Sequence, residues 1–241
     1  CNLKCLFCQN YQLSWENTGS TMNDEIIAEK MLFLERNGAL NINLVSPSHI
    51  ILPILRALRI AIRKGLNLPI VYNSNGYEKV ETIQTLEGII DIYLPDLKYF
   101  LPQTSEKFSS ADDYFEFASD SLLEMYRQQP ELYLDDKGIA TKGLIIRHLI
   151  LPGCIEESFQ LLDFIASKIS TDVCLSLMSQ YYPCFRAPEE IGKPLSSKEY
   201  KKVFLHAKQS GFSMLFIQPK SFEGNEYRIP DFKKENPFIW D

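Results

Sequence analysis

The sequence predicts an α/β fold in which mostly parallel strands are joined by helices, as a doubly wound sheet or a barrel. Three observations predict it. Short apolar runs alternate with amphipathic segments of helical period from residue 23 to residue 217. The runs lack the polar alternation of half-exposed strands, as expected where both faces are covered. The chain has 241 residues, 45% hydrophobic and 23% charged, enough for one to two domains with a core and free of disordered or fibrous bias.

The elements follow in order. Asn23–Arg36 reads as a helix: Asp24 and Glu25 suit its N-terminus, Ile27, Met31 and Leu34 share a face, and Gly38 suits its end. Asn41–Val45 is a strand. Ile50–Lys64 is a helix with an apolar stripe through Ile51, Ile54, Leu55, Leu58 and Ile62, and with Arg56, Arg59 and Arg63 on a solvated face. Ile70–Asn73, Val80–Leu86 and Ile89–Leu94 read as strand, helix and strand. Thr104–Gln129 is helical with a break near Ser110. Asp135-Asp136-Lys137-Gly138 marks a turn in a polar stretch. Leu144–Ile150 is a strand, Glu156–Ile169 a helix and Val173–Met178 a strand. Pro183, Pro188 and Pro194 make Tyr181–Leu195 a loop. Ser196 and Glu199 form a capping box for a helix running to Ser210, and Met214–Ile217 is the last strand. The expected division is a core at 1–218 and a tail at 219–241 lying over the surface.

Net charge is 25 − 31 = −6, which argues against general nucleic-acid binding while allowing a local basic pocket. The most apolar stretch, Ile50–Ile62, is short and carries arginines, so no membrane span is expected. With no export signal in view, the expected location is the cytoplasm and disulfides are not expected.

In such folds function gathers where strands end. The strand ends here carry Ser46-Pro47-Ser48-His49, Asn73-Ser74-Asn75-Gly76, Asp96-Leu97-Lys98, Arg147 and Ser179-Gln180-Tyr181. Each alone is an ordinary turn or polar cap; together they predict one polar mouth. Arg147 and His148 alternate along a strand, so an inward Arg147 sends His148 outward to the helices.

Cys1, Cys5 and Cys8 are spaced four and three apart, and can gather round one soft metal centre. Zinc ordinarily takes four ligands, and no second pair follows at a matching spacing. Three thiolates on a cubic iron–sulfur cluster would leave one iron open. Cys154, Cys174 and Cys184 are scattered and read as partly buried free thiols, with Cys184, in the Pro-rich loop, the one to watch. His206 reads as a surface residue.

The run Cys1-Asn-Leu-Lys-Cys-Leu-Phe-Cys-Gln-Asn-Tyr-Gln-Leu-Ser14 resembles the radical S-adenosylmethionine superfamily, in the branch of pyruvate formate-lyase activating enzyme-like iron–sulfur proteins. Val45–His49, Tyr72–Tyr77, Asp91–Tyr99, Arg147–Gly153 and Leu177–Tyr181 extend the resemblance over residues 1–218. It implies a partial (β/α)6 TIM-type barrel whose first strand precedes Cys1 and is missing from this chain. It implies that Cys1, Cys5 and Cys8 bind three irons of a 4Fe-4S cluster, and that the fourth iron takes S-adenosylmethionine.

The remaining cofactor-binding residues are implied likewise. Phe7 would pack near the adenine, Asn75 and Gly76 near the ribose, and Lys98, in the Asp96-Leu97-Lys98 element, at the methionine carboxylate. Arg147 would face the cofactor, Ser46, Ser48 or His49 would receive the methionine amino group, and Asn73 and Gln180 complete the expected cofactor-binding positions.

The implied activity is that of an oxidoreductase. It cleaves S-adenosylmethionine reductively to a 5′-deoxyadenosyl radical and abstracts a hydrogen. In activating enzymes that hydrogen comes from a glycine of a partner glycyl-radical enzyme, with an electron donor such as flavodoxin or ferredoxin. The other readings are hydrogen abstraction from a small molecule, or a non-catalytic cluster-binding or electron-transfer protein. Three departures stand out. Activating enzymes carry Gly-Gly-Glu where this chain has Ser46–His49, an acid where it has Asn73, and a His near Gln180.

Overall fold

The computed structural model describes residues 1–218 and 229–234. Its helices are α1 (Tyr11–Ser14), α2 (Asp24–Arg36), α3 (Ile51–Arg63), α4 (Val80–Gln84), α5 (Pro102–Ser109), α6 (Tyr114–Gln128), α7 (Ile155–Lys168) and α8 (Ser197–Gln209). Its strands are β1 (Ile42–Val45), β2 (Ile70–Asn73), β3 (Ile92–Tyr93), β4 (Tyr133–Leu134), β5 (Ala140–Leu149), β6 (Cys174–Met178) and β7 (Leu215–Ile217).

The strand order decides between the two expected architectures. The parallel strands run β1-β2-β3-β5-β6-β7, in chain order and without reversal. A doubly wound sheet reverses its order at a switch point, whereas a barrel does not. The fold is therefore a partial TIM-type barrel, with β1 and β7 as its edges. Tyr72, Tyr93, Ile146, Leu175 and Leu177 are fully buried on its strands, against Ala28, Leu58, Leu122, Leu161 and Val203 of the helices.

Local signals explain three of the helix boundaries. The Asn23 side chain caps α2 by accepting from the Ile26 N–H at 2.8 Å. Ser196 and Glu199 form the expected capping box on α8. Ser110 takes a left-handed φ of 52° and breaks the long helical stretch into α5 and α6.

The structure also departs from the sequence reading. Pro102 starts α5 two residues before the expected Thr104. The polar stretch before residue 144 is a hairpin: β4 pairs antiparallel with β5 and lengthens it back to Ala140. Asp135 Oδ1 organises its turn, accepting from Lys137 N and Ile139 N. His206 is not simply a surface residue. It stacks on Phe159 of α7 at 4.4 Å and bonds Asp163 at 2.8 Å, tying α8 to α7.

Of the expected tail, only 229–234 falls among the described residues. There Phe232 N donates to Gln12 Oε1 at 2.6 Å, and Lys233 pairs with Glu16 at 3.0 Å. No helix among the described residues is long and apolar enough to cross a membrane.

Candidate functional site

The cysteine loop lies over the strand ends and is tied down on two sides. Lys4 N and Leu6 N donate to Ser109 O and Phe108 O at the end of α5, and Arg186 N donates to Leu6 O. Trp15, just after α1, closes the loop from above. Its indole N–H donates to Cys5 O at 3.3 Å, and Lys4 and Arg186 lie over its ring. Phe7 is buried against Tyr181, with ring centres 5.5 Å apart.

Each of the three sulfurs meets one hydrogen-bonding group. Asn75 Nδ2 donates to Cys1 Sγ at 3.3 Å, Ser109 Oγ donates to Cys5 Sγ at 3.0 Å, and Ser14 Oγ lies 3.2 Å from Cys8 Sγ. Burial raises the Cys5 thiol above its ordinary value, with Lys98 and the Ser109 hydrogen bond opposing it. Cys184 Sγ approaches Phe7 O at 3.4 Å, and burial raises its thiol to about 11, with Cys8 nearby adding to the effect.

Five of the expected residues join in one polar network beside the thiols. Asp96 pairs with Lys98 Nζ, and its Oδ1 lies 2.7 Å from Arg147 Nη2. Arg147 Nη2 also donates to Asn73 Oδ1 at 2.7 Å, and Lys98 Nζ reaches Asn75 O at 3.4 Å. Burial pushes the Asp96 carboxyl up, but Lys98 and Arg147 outweigh it and hold the group below its ordinary value. Arg147 Nε is buried without a hydrogen bond among the described residues, so the network retains an unused cationic donor. As the alternation predicts, His148 turns away to the helix layer, bonding Leu97 O and Ser158 Oγ.

Gly76 joins this site for a steric reason. A Cβ there would lie 2.1 Å from Asp96 O and 2.7 Å from Tyr114 Oη, and its φ is +87°. Only glycine lets the β2 end pack under the Asp96 strand end.

Ser46, Ser48 and His49 gather at the neighbouring β1 end. Ser46 has a left-handed φ of 48° and donates its N–H to Asn73 O. Ser48 Oγ donates to Glu78 Oε1 at 2.5 Å, and Ser74 Oγ donates to the same oxygen at 2.6 Å. Glu78 is only 3% exposed, and burial raises its carboxyl despite these hydroxyls. A cavity of about 250 Å³ opens beside it, lined also by Asn2, Ser48, His49, Tyr77 and Phe117. Partial desolvation lowers the His49 imidazole, favouring the neutral acceptor form. Gln180 is exposed, its side chain held by Gln218 Nε2 at 3.0 Å and its backbone oxygen accepting from Gln9 Nε2 of the cysteine loop at 3.5 Å.

Sequence reading missed Glu78, Ser109 and Ser14. Glu78 carried a signal, an acid two residues past Asn75-Gly76 at a strand end. The two serines carried none.

Among the described residues no three His, Cys, Asp or Glu side chains close on a single metal ion. A cluster asks for something different, one thiolate on each of three irons. The residues fit such a group: three free thiols share one loop, and all three sulfurs have hydrogen-bonding neighbours. They also fit an amino-acid-bearing cofactor, with Lys98 and the spare Arg147 donor for a carboxylate and Glu78 with Ser48 for an ammonium.

The partial-barrel fold is shared with three solved structures. It is similar to SuiB of Streptococcus suis, with TM-score 0.58 and 16% identity over 91% of this chain and 47% of that one. SuiB bound to S-adenosylmethionine is similar with TM-score 0.57 and 14% identity, over 91% and 45% of the two chains. A domain of pyruvate-formate lyase-activating enzyme from Bacteroides vulgatus is similar with TM-score 0.53 and 12% identity, over 74% and 99%. In sequence the chain is 29% identical over 230 residues to an uncharacterized protein of Methanocaldococcus jannaschii, covering 90% of this chain. The chain spans 62% of the length of that curated relative. No family model matches it.

Proposed function

We propose that this chain is a radical S-adenosylmethionine enzyme in which Cys1, Cys5 and Cys8 hold a 4Fe-4S cluster. One observation carries the reading: three hydrogen-bonded thiols share a barrel mouth with the Asn73–Asp96–Lys98–Arg147 network. When bound, cluster and S-adenosylmethionine together supply a one-electron route to a carbon radical that removes a hydrogen from substrate.

The chain's own residues supply binding and orientation. Lys98 and Arg147 present cations to the methionine carboxylate, and Asp96 holds both in place. The ammonium is received at the β1 end. The acid absent at Ser48 is returned there by Glu78, through the Ser48 hydrogen bond. A bound ammonium favours the ionised carboxylate, offsetting the burial that raises it. Phe7 and the Asn75-Gly76 turn border the adenosine side. Trp15, Tyr11 and Phe185 form an aromatic cover over the cysteine loop, with Tyr11 and Phe185 stacked at 4.7 Å, and shield it from water.

The substrate we propose is a backbone glycine of a partner protein, supported by the fold similarity to the activating-enzyme domain. A low-potential one-electron donor such as flavodoxin or ferredoxin would serve it. The cavity beside Glu78 and Tyr77 favours a second reading, in which the hydrogen comes from a small molecule seated there.

The test is 5′-deoxyadenosine formation after anaerobic reconstitution, reduction and addition of S-adenosylmethionine. The wild-type chain is expected to form it, and Cys5→Ala to lose both cluster iron and product. A Cys5→Ala chain with full iron and wild-type product would overturn the ligand assignment.

A further inference from the structure

The three sulfur contacts are not equivalent. Ser14 reaches Cys8 from a partly open position, and Asn75, 6% exposed, reaches Cys1 while its amide also donates to Asn2 Oδ1. Ser109, in the last turn of α5, is 1% exposed, and a second buried hydroxyl backs it. Tyr99 Oη lies 2.7 Å from Ser109 Oγ and is itself in a residue 1% exposed. A hydroxyl has one proton to give. With the Ser109 proton directed at Cys5 Sγ, the hydrogen between the two hydroxyls must be that of Tyr99. The contact is thus a directed chain, Tyr99 to Ser109 to Cys5. Burial holds the Tyr99 phenol well above its ordinary value, so it remains a donor.

A serine in a helix's last turn commonly bonds the carbonyl four residues back. Ser105, one turn earlier, does so with Leu101 O at 3.3 Å. Among the described residues Ser109 makes no such bond, and its hydroxyl is committed to Tyr99 and Cys5. The pair also lies where water cannot substitute for either partner.

We propose that Tyr99 and Ser109 are positioning residues that set the reduction potential of the group held by Cys5. The inference rests on the cluster reading above. Adding an electron to an iron–sulfur group raises negative charge on its sulfurs, and hydrogen bonds to those sulfurs favour the reduced form. In a buried setting, a directed pair of hydroxyls offsets the burial that would otherwise disfavour reduction. The two residues touch neither substrate nor S-adenosylmethionine; they act through the cysteine.

The test is the midpoint potential of the anaerobically reconstituted chain, followed by electron paramagnetic resonance. Dithionite supplies the single electron, and iron and sulfide are quantified in parallel. Ser109→Ala is expected to keep its iron and shift the potential negative by about 59 mV, a tenfold loss in the reduction equilibrium. Tyr99→Phe should shift it the same way by less, and Ser109→Thr should restore it. A loaded Ser109→Ala chain with the wild-type potential overturns the inference, as does a loaded Ser109→Thr chain that stays shifted. If Ser109→Ala fails to fold, Tyr99→Phe, which removes only an oxygen, decides by the same criterion. Failure of the wild-type chain to take up iron overturns the cluster reading itself, a result read from iron content and not from potential.

Discussion

At Gly76 and Gly143 the neighbouring backbone comes too close for any Cβ. Gly76 is the sharpest case, because its missing Cβ is the space that the Asp96 carbonyl occupies. Gly76→Ala must move backbone and take a left-handed strain together, at a cost of about 4 kcal/mol. Gly88 offers the control. It has φ +75° and nothing within 4 Å of its added Cβ, so Gly88→Ala meets the strain alone, about 1 kcal/mol. Urea unfolding midpoints of the two variants check this; equal losses would show that the Asp96 contact does not matter. The site's charged residues were legible because strand ends, apolar runs and charges are local features of a sequence. Asn73, Asp96, Lys98 and Arg147 could be placed on one mouth before any coordinates. Ser109 and Tyr99 could not. Their partners lie at Cys5 and at each other across a helix, and nothing in a serine's neighbours announces a distant sulfur.

At the scale of elements, stability depends on how helix ends are satisfied before they dock. The α8 capping box does more than close its own first turn. Glu199 accepts from Ser196 N at 3.0 Å with one oxygen and from Gly153 N at 3.0 Å with the other, joining the α8 start to the loop after β5. Ser196→Ala removes the cap bond from Glu199 N and the hydroxyl's own bond to Glu199 Oε2, and is expected to cost about 1 kcal/mol. That corresponds to a melting temperature lower by about 2–4 °C in a chain of this length. Glu199→Ala cuts both attachments and should cost more. A thermal melt in which the two variants are equal would show that the Gly153 bond adds nothing. The long helices were legible: α2, α3, α7 and α8 lie within two residues of their expected ends, α2 and α8 with side-chain caps and α3 and α7 on their apolar period alone. The short ones were not. The four residues of α1 and the two of β4 have too few side chains to show a period, and they form because the cysteine loop and β5 give them partners.

For the whole molecule, the sheet and its helices are joined by a group whose charge is fixed by burial. His148 is 2% exposed and lies between Leu97 O at 2.7 Å and Ser158 Oγ at 2.9 Å. The carbonyl can only accept, so Nδ1 carries the proton and Nε2 accepts from Ser158. Burial lowers this imidazole to about 4, against an ordinary value of 6.5. The unfolded chain therefore binds a proton here that the folded chain refuses. Linkage gives the sign: stability is full above pH 6.5 and is lost as pH falls towards 4. Between pH 7 and pH 5 the loss amounts to about 2 kcal/mol. Glu78 opposes it, since burial raises its carboxyl and the folded state takes up that proton more readily. Asp96, held low by Lys98 and Arg147, adds a further loss only in more acid solution. Urea unfolding at pH 7 and pH 5 measures the sum, and His148→Asn isolates the imidazole. The variant should be less stable than wild type at pH 7 and should have lost most of the slope between the two. A variant with the wild-type slope would move the titration elsewhere, and a wild-type chain more stable at pH 5 than at pH 7 would make Glu78 the dominant group.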